Sequence, residues 1–393
     1  MKDFKDFKED LFKCSKCGLC QSVCPVYKVS KNECAASRGK FTILNGVQNG
    51  ELALSPSVAK NLDMCLNCNA CKDFCPSGID ARQIFASTRY EVNKCNLIGK
   101  FFASNSLYVF FMNIIKIMSN LYRFFALYKI AEIFEPFILK FGILGKRAML
   151  ANYLLTPRVS LKKKKQSKHI LGKVVFFEGC FNRYINPSSK NATINLLNEL
   201  GYEIVKMEQR CCSVQNYHAG YFKEFEENAK KIIAAVPSDV DYIVCDCATC
   251  ISVLKSYDEL LDEDKKIAEK VISISDLLVK HSYKKEFSEN KTFTYHKPCH
   301  EDNIPSALFE NIKNTQFVPL EKDSCCGVAG SFALKFQKYS RQISKDKAVD
   351  IDKTGGNYVI TACPACIIGL KQGVLENGSS QKVLNVSEFL NLE

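Results

Sequence analysis

The sequence predicts a multidomain protein with an α-helical N-terminal domain, a helical basic connector and two repeated α/β modules. Three observations predict this fold class. A motif of four cysteines occurs twice before residue 80, a different pattern of five cysteines occurs twice after residue 170, and residues 94–168 contain the whole net positive charge. We place the domain boundaries at 1–93, 94–170, 171–288 and 289–393.

The composition and the first residues indicate a cytoplasmic globular protein. With 47% apolar and 24% charged residues, the chain differs from collagen-like chains, disordered tails and small disulfide scaffolds. Residues 1–10 alternate charged residues with Phe and contain no apolar core segment, twin-Arg or cleavage site, so we predict no export signal. Cytoplasmic thiols stay reduced, and the clustering of the 21 cysteines therefore indicates metal binding rather than disulfides.

The N-terminal domain contains two copies of the motif C-x2-C-x2-C-x3-C-P at a constant offset of 51 residues. The cysteines of the two copies are Cys14, Cys17, Cys20 and Cys24, and Cys65, Cys68, Cys71 and Cys75. This is the ferredoxin pattern for a cubane 4Fe-4S cluster, and in two-cluster proteins the fourth cysteine of each motif binds the other cluster. We therefore predict two cubane 4Fe-4S clusters, one held by Cys14, Cys17, Cys20 and Cys75, the other by Cys65, Cys68, Cys71 and Cys24.

Structural zinc is the alternative at this site. A zinc ion needs four ligands, which explains neither the third spacing nor the repetition of the motif. Between the two motifs, residues 41–44 and 56–62 read as helices rather than strands. The sequence therefore favours a helical form of the ferredoxin-type domain.

The connector is basic, aromatic and amphipathic. Residues 94–168 contain 14 Lys and Arg against two Glu, a balance of +12 that equals the net charge of the chain. This local charge argues against a general nucleic-acid binder. Asn113, Lys116, Asn120 and Arg123 recur at helical spacing and form a polar stripe, while the longest uncharged run, 15 residues from 101 to 115, is too short to span a bilayer.

We expect the connector to contact a membrane surface. Each Lys or Arg near an anionic leaflet contributes on the order of 1 kcal/mol, and an apolar helix face adds to this attraction. The alternative is that these helices pack on the ferredoxin-type domain or on a partner subunit. The predicted location is cytoplasmic and peripheral, on the inner face of the cytoplasmic membrane.

The C-terminal half repeats a set of five cysteines at offsets between 114 and 119 residues. The first set consists of Cys180, Cys211, Cys212, Cys247 and Cys250, and the second of Cys299, Cys325, Cys326, Cys363 and Cys366. Runs of β-branched and aromatic residues at 174–177, 241–244, 292–295 and 357–360 precede cysteines in both sets and predict buried strands. Residues 191–200, followed by Gly201, predict a helix. The cysteines thus follow strand ends, where open α/β sheets bind ligands.

These segments resemble a known cysteine-rich domain. Residues 295–300, 325–330 and 363–366 are similar to the CCG domain of heterodisulfide reductase subunits, lactate-utilisation proteins, the glycolate oxidase iron–sulfur subunit and the anaerobic glycerol-3-phosphate dehydrogenase C subunit. The order of two ferredoxin motifs and two CCG modules resembles the last two along almost the whole chain. Residues 37–39, 62–65, 75–78 and 177–180 look more like the glycolate oxidase type.

The resemblance implies that each CCG set can hold a further iron–sulfur centre, in the heterodisulfide reductases a noncubane 4Fe-4S cluster. We expect one or two such centres here, with zinc or free thiols as the alternative. Ser213 stands where the motif has Gly, which puts the first module in more doubt than the second. His296 and His300 flank Cys299 and could donate hydrogen bonds to cluster sulfur. The three cysteines outside the sets, predicted to be ordinary thiols, are Cys34, Cys95 and Cys245.

The sequence contains no G-x-G-x-x-G, P-loop or Ser/His/Asp signature. Iron–sulfur clusters carry single electrons, so FAD is expected on a partner subunit only. The resemblance implies an electron-transfer subunit, not the substrate-oxidising chain, that passes electrons from a partner FAD-containing 2-hydroxyacid dehydrogenase (glycolate or D-lactate) toward quinone or a membrane quinone-reducing partner. Three alternatives remain: glycerol 3-phosphate as the donor, a heterodisulfide-reductase-like thiol–disulfide reductase, and a non-catalytic metal-bound assembly scaffold.

Overall fold

The computed structural model describes residues 2–93, 105–141, 144, 147–151, 166–261, 267–322 and 324–393. The chain forms two compact units. The first comprises Met1–Tyr108, Ser213–Asn228 and Ser324–Ile343, and the second comprises Val109–Cys212, Ala229–Asp323 and Ser344–Glu393. The first unit therefore includes two short segments from the C-terminal half of the sequence.

The N-terminal part of the first unit is helical, which confirms the helical form predicted for this domain. Its helices are α1 (Lys8–Phe12), α2 (Leu19–Val23), α3 (Pro25–Ser30), α4 (Ser37–Gln48), α5 (Pro56–Asp63), α6 (Ala70–Asp73) and α7 (Ala81–Asn93). Proline occupies the first turn of α3 and α5, where its missing N–H has no cost. Leu11, Leu44, Leu62, Ile84 and Phe85 form the centre of an apolar core that α1, α4, α5 and α7 share.

The connector is largely helical from residue 105 to residue 141. It contains α8 (Asn105–Phe124), α9 (Leu127–Ile133) and α10 (Glu135–Leu139). Residues 94–104, which include Cys95, and the basic run at 162–165 lie outside the described residues. In the described ranges, none of the helices combines the length and hydropathy that crossing a bilayer requires.

The second unit contains two four-stranded sheets in which all paired strands are parallel. The first sheet has the order β2-β1-β3-β4 and the second the order β6-β5-β7-β8. The strands are β1 (Gly172–Phe177), β2 (Tyr202–Val205), β3 (Tyr242–Cys245), β4 (Val271–Ser273), β5 (Lys285–Tyr295), β6 (Ile312–Phe317), β7 (Tyr358–Thr361) and β8 (Lys382–Asn385).

The two sheets have the same topology, since the order of the second is that of the first with every strand number increased by four. The repeated α/β modules predicted from the sequence are therefore confirmed. The four predicted strands correspond to β1, β3, β5 and β7, which occupy the two central positions of each sheet. The sequence analysis missed the edge strands because they lack continuous apolar runs: β6 reads I-K-N-T-Q-F and includes Asn314 at a φ of 57°.

Helices connect the strands. After β1 come α11 (Gly179–Tyr184) and α12 (Pro187–Leu200), and after β2 come α13 (Val214–Ala219) and α14 (Phe222–Ala235). After β3 come α15 (Ala248–Lys255) and α16 (Tyr257–Leu261), with α17 (Ile274–Lys280) between β4 and β5. The second module adds α18 (Ser306–Glu310), α19 (Phe332–Lys335), α20 (Gln337–Asp352), α21 (Pro364–Asn377) and α22 (Val386–Leu390). The helix predicted at 191–200 is the C-terminal part of α12, and Gly201 ends it at a φ of 97°.

The two modules share one apolar core within the second unit. Leu196 and Ile274 of the first module and Phe293, Ile360 and Phe389 of the second belong to a single cluster of buried side chains. The two sheets are therefore packed against a common core within this unit.

Candidate metal centres

The two three-cysteine loops of the first unit have the same backbone conformation. Lys16 and Gly18 flank Cys17 with φ values of 56° and 86°, and Asn67 and Asn69 flank Cys68 with φ values of 51° and 60°. Left-handed residues at these positions turn the backbone sharply and direct successive N–H groups toward one side, an arrangement that favours anions. Glycine and asparagine tolerate this conformation best.

Two pockets lie between these loops, each with about 430 Å³ of empty space. The first pocket has the thiols of Cys14, Cys17, Cys20 and Cys75 in its lining. The second pocket has the thiols of Cys24, Cys65, Cys68 and Cys71 in its lining. Cys71 also borders the first pocket. The fold thus brings the fourth cysteine of each motif to the first three of the other, although the metal-ligand assignment itself stays a prediction.

Backbone amides point at the sulfur atoms of these pockets. The N–H of Arg38 donates to Cys20 Sγ at 3.3 Å, that of Tyr27 to Cys24 Sγ at 3.4 Å, and that of Asn67 to Cys65 Sγ at 3.4 Å. Such bonds stabilise thiolates and are typical of cluster ligands.

The donor set fits a 4Fe-4S cluster in each pocket. Burial raises the pKa of Cys24 to about 11 and that of Cys71 to about 12, so these sulfurs are neutral thiols in the free protein. Metal binding requires the thiolate. Binding of a cluster would therefore displace the protons of these thiols. Four cysteines in each pocket would hold the cluster, and the bound clusters would supply one-electron transfer.

The second unit contains a continuous group of cysteines from both CCG modules. Cys212 Sγ and Cys250 Sγ lie 3.4 Å apart, and Cys250 and Cys363 both contact Cys247 through hydrogen bonds. Cys363 in turn contacts Cys366. The cysteines follow β3 and β7 as the sequence predicted, since the C-x2-C loops begin two residues after those strands.

The two C-x2-C loops lie directly against each other. Ala248 N–H donates to Ala362 O at 2.8 Å, and Thr249 Oγ1 lies 3.5 Å from Cys363 Sγ. The sequence analysis treated the two cysteine sets as separate. No spacing in the sequence indicates this contact, because it depends on how the two sheets pack.

The thiols of this group influence one another. Hydrogen bonds from Cys247 and Cys366 hold the pKa of Cys363 well below its usual range. For Cys247, the hydrogen bond with Cys250 lowers the pKa, but the hydrogen bond with Cys363 and burial raise it, and the net pKa lies well above the usual range. One sulfur therefore carries negative charge more readily than its neighbour.

Ser213, which stands where the CCG motif has Gly, adopts the backbone conformation of a glycine. Its φ is 57°, and the equivalent Gly327 of the second module has a φ of 86°. Ser213 is buried, and its Oγ accepts a hydrogen bond from Asn228 Nδ2 at 2.9 Å. Ser213 and Gly327 thus share the left-handed region of φ at the residue after the cysteine pair.

The remaining predicted site residues lie at different depths. Cys180 in α11, Cys211, Cys299 and His300 are half-buried, and Cys325 and Cys326 are buried in the first unit. His296 is fully buried, and its backbone N–H donates to Ile360 O at 2.9 Å, in line with the end of β5. Whether these residues bind metal stays a prediction.

The two described cysteines outside the predicted sets differ in their surroundings. Cys245 is fully buried at the end of β3, and burial raises its pKa. Cys34 is half-buried in the turn Glu33–Ala35 and contacts the domain core through its backbone carbonyl. Neither lines one of the two pockets.

Two carboxyl groups near the cysteines, one buried and one half-buried, were missed by the sequence analysis. Asp246 precedes Cys247 and accepts hydrogen bonds from Ser189 and Thr193, and burial raises its pKa to about 7. Glu301 accepts a hydrogen bond from Tyr295 at 2.5 Å, and burial likewise raises its pKa to about 7. The sequence alone does not predict that a single Asp or Glu after a strand will be removed from solvent.

Comparisons with known proteins agree with this architecture. A model of the 4Fe-4S dicluster domain matches residues 10–79, and a model of the cysteine-rich CCG domain matches residues 174–255 and 293–371. The chain is similar to the "Probable glycolate oxidase iron-sulfur subunit" of Bacillus subtilis, with 29% identity over 96% of this chain and 93% of the relative.

Shorter relatives match about half of this chain. "Lactate utilization protein A" of Lysinibacillus sphaericus is 31% identical over 51% of this chain and 95% of the relative. The protein of the same name from Geobacillus thermodenitrificans is 29% identical over 56% of this chain and 98% of the relative. The chain therefore belongs to the family of iron–sulfur proteins that includes lactate utilization protein A and the glycolate oxidase iron-sulfur subunit, and it joins a 4Fe-4S dicluster domain to two CCG domains.

Proposed function

We propose that this chain is the electron-transfer subunit of a 2-hydroxyacid dehydrogenase complex. A partner FAD-containing subunit oxidises glycolate or D-lactate, and this chain passes the electrons toward the quinone pool. The observation that carries the proposal is the placement of two four-thiol pockets side by side, with Cys71 bordering both. Adjacent redox sites suit electron transfer, and the names of the relatives, an iron-sulfur subunit and lactate utilization proteins, fit the same role.

The CCG modules extend this proposal to further metal centres. Ten thiols, five in each module, would hold one or two additional iron–sulfur centres. The contact between Cys247 and Cys363 supports close spacing of the two sets. The protein's own contribution is to bury six of these ten cysteines and half-bury the other four, which limits their contact with water.

The function is tested by anaerobic reconstitution with the FAD-containing partner. We expect glycolate or D-lactate to bleach the iron–sulfur absorbance of this chain only when the partner is present, because no residue here can take a hydride from an alcohol. Glycerol 3-phosphate serves as the competing donor and a disulfide as the competing acceptor. Substrate turnover by this chain alone, or reduction only with one of the competitors, would contradict the proposal.

We further propose that α8–α10 bind an anionic membrane surface. In the second unit, α8 is exposed on most of its sides: Ser119 is buried and Arg123 bonds to the carbonyl of Ile185, but the other three residues of the predicted polar stripe are exposed. Its apolar residues face outward, with Phe124 81% exposed, and Ile133 of α9 is 74% exposed. Large apolar side chains and lysines are therefore exposed together on these helices, and a basic, apolar surface of this kind matches anionic lipid.

The double variant Phe124→Ser/Ile133→Ser tests this contact. Each large apolar side chain contributes about 1.5–3 kcal/mol when it leaves water, so we expect a loss of about 100-fold or more in co-sedimentation with anionic vesicles. Leu334→Ser is the matched control, since Leu334 is 76% exposed but lies in the first unit. Equal binding by the double variant and the control would show that these helices contact a protein instead.

A further inference from the structure

A buried cation, Lys40, lies beside the second pocket. Its side chain is 1% exposed. The ammonium donates to the carbonyl oxygens of Cys34 at 2.8 Å, of Ala35, and of Met64 at 3.1 Å. Three carbonyl acceptors match the three N–H bonds of a protonated lysine. The geometry is therefore that of a charged group held in the domain core.

The carbonyls that hold Lys40 belong to the backbone around the second pocket. Ala35 O, which accepts from Lys40, also lies 3.8 Å from Cys24 Sγ. Met64, whose carbonyl oxygen also accepts a hydrogen bond from Lys40, directly precedes Cys65. The ammonium thus lies one peptide group away from two of the thiols that line the second pocket.

The lining of the second pocket separates Lys40 from solvent. Ala35 and Phe85 are part of this lining, and Lys40 Nζ lies 5.9 Å from the centre of the Phe85 ring. Water cannot screen the charge on this side, so its electrostatic effect on the pocket is larger than that of a surface lysine.

Lys40 differs from two other cations near the pockets, Arg89 and Arg38, because its positive charge is not paired with a carboxylate in the described part of the chain. Arg89 is also buried but pairs with Asp63 at 3.8 Å. Arg38, near the first pocket, is partly exposed and pairs with Glu33 at 3.8 Å. In the part of the chain that the structure describes, the polar contacts of Lys40 are all with neutral carbonyl oxygens. Its charge is therefore left to be balanced by whatever anion the second pocket holds.

We propose that Lys40 makes the second pocket the higher-potential of the two cluster sites. Reduction adds one negative charge to a cluster, and a nearby buried cation favours the form with more negative charge. Cluster potentials respond to local charge and solvent exposure in this way. Electrons then move downhill from the first pocket to the second. The inference rests on the proposed clusters but not on the partner or the substrate.

The test is an EPR-monitored redox titration of the purified full chain with Lys40→Gln. Gln keeps hydrogen-bond donors for the carbonyls and removes the charge. We expect the midpoint potential of one ferredoxin-type signal to fall so that its reduced-to-oxidised ratio at the wild-type midpoint drops about tenfold, which is about 59 mV for a one-electron couple, while the other signal stays in place. Lys28→Gln is the matched control, because Lys28 is exposed in α3, which directly follows Cys24.

A second measurement covers the case in which Lys40→Gln loses a cluster. Cys17→Ser should remove the signal of the first pocket and retain the higher-potential signal, and Cys68→Ser should do the reverse. Lys40→Gln with both signals present and unshifted would overturn the inference, and so would loss of the higher-potential signal in Cys17→Ser. Failure of the proposed function would instead appear as absent reduction by the partner, with these potentials unchanged.

Discussion

Replacing Cys68 with serine is expected to remove one complete 4Fe-4S cluster, a loss of about four iron atoms per chain. Cys68 is the middle cysteine of its loop, and Asn67 and Asn69 hold it in the second pocket with left-handed backbone conformations. A serine hydroxyl does not replace the thiolate, so the cluster loses a ligand on one side. Iron analysis and EPR of anaerobically purified protein measure the result.

Cys34→Ser is the control for this experiment. Cys34 lies in the same unit, six residues from Lys40, but does not line either pocket. Its carbonyl contact with Lys40 belongs to the backbone and remains in the variant. We expect full iron content. If Cys68→Ser also retains all its iron, the second pocket does not hold the predicted cluster.

Replacing Cys363 with serine is expected to affect both CCG modules at once. Wild-type protein should contain about 8 iron atoms if only the two ferredoxin-type clusters are bound and about 16 if both modules are also loaded. Because Cys363 contacts both Cys366 and Cys247, the variant should lose the centre of the second module and change the EPR spectrum of the first. The two ferredoxin-type signals should remain.

Cys245→Ser is the matched control for Cys363→Ser. Cys245 is equally buried and lies two residues before Cys247, at the end of the strand that leads into the first C-x2-C loop. Its replacement perturbs the core without touching the group of cysteines. Identical iron content and spectra in Cys363→Ser and the wild type would show that the second module holds no iron–sulfur centre.

Much of the fold was readable from residue patterns. The central strands β1, β3, β5 and β7 were predicted because parallel strands that are buried on both faces need continuous apolar runs. The edge strands were not, since β6 (I-K-N-T-Q-F) and β8 (K-V-L-N) lack the continuous apolar run of the central strands and depend on neighbours for their conformation. Such segments become strands because they pair with a neighbouring strand of the sheet.

At the cysteine sites, too, some features were predicted from the sequence and others depend on tertiary contacts. The spacing of the cysteines predicted that Cys24 and Cys75 exchange between the motifs. In the structure Cys75 lines the pocket of the first loop and Cys24 that of the second, while their binding of metal stays a prediction. Ser213 was judged a departure from the CCG motif, yet it accepts a hydrogen bond from Asn228 and its φ of 57° lies in the left-handed region that Gly327 also occupies. A sequence pattern records which residue is present but not which backbone conformation it adopts.

By itself, the sequence determined the groups of sulfur atoms and their chemistry, because ligand spacing along a chain is local. Only the tertiary structure decided what surrounds those sulfurs: the buried ammonium of Lys40 behind the second pocket and the contact between Cys247 and Cys363. Each of these joins residues from separate elements. Burial and electrostatics follow from packing in three dimensions, which no one-dimensional spacing specifies.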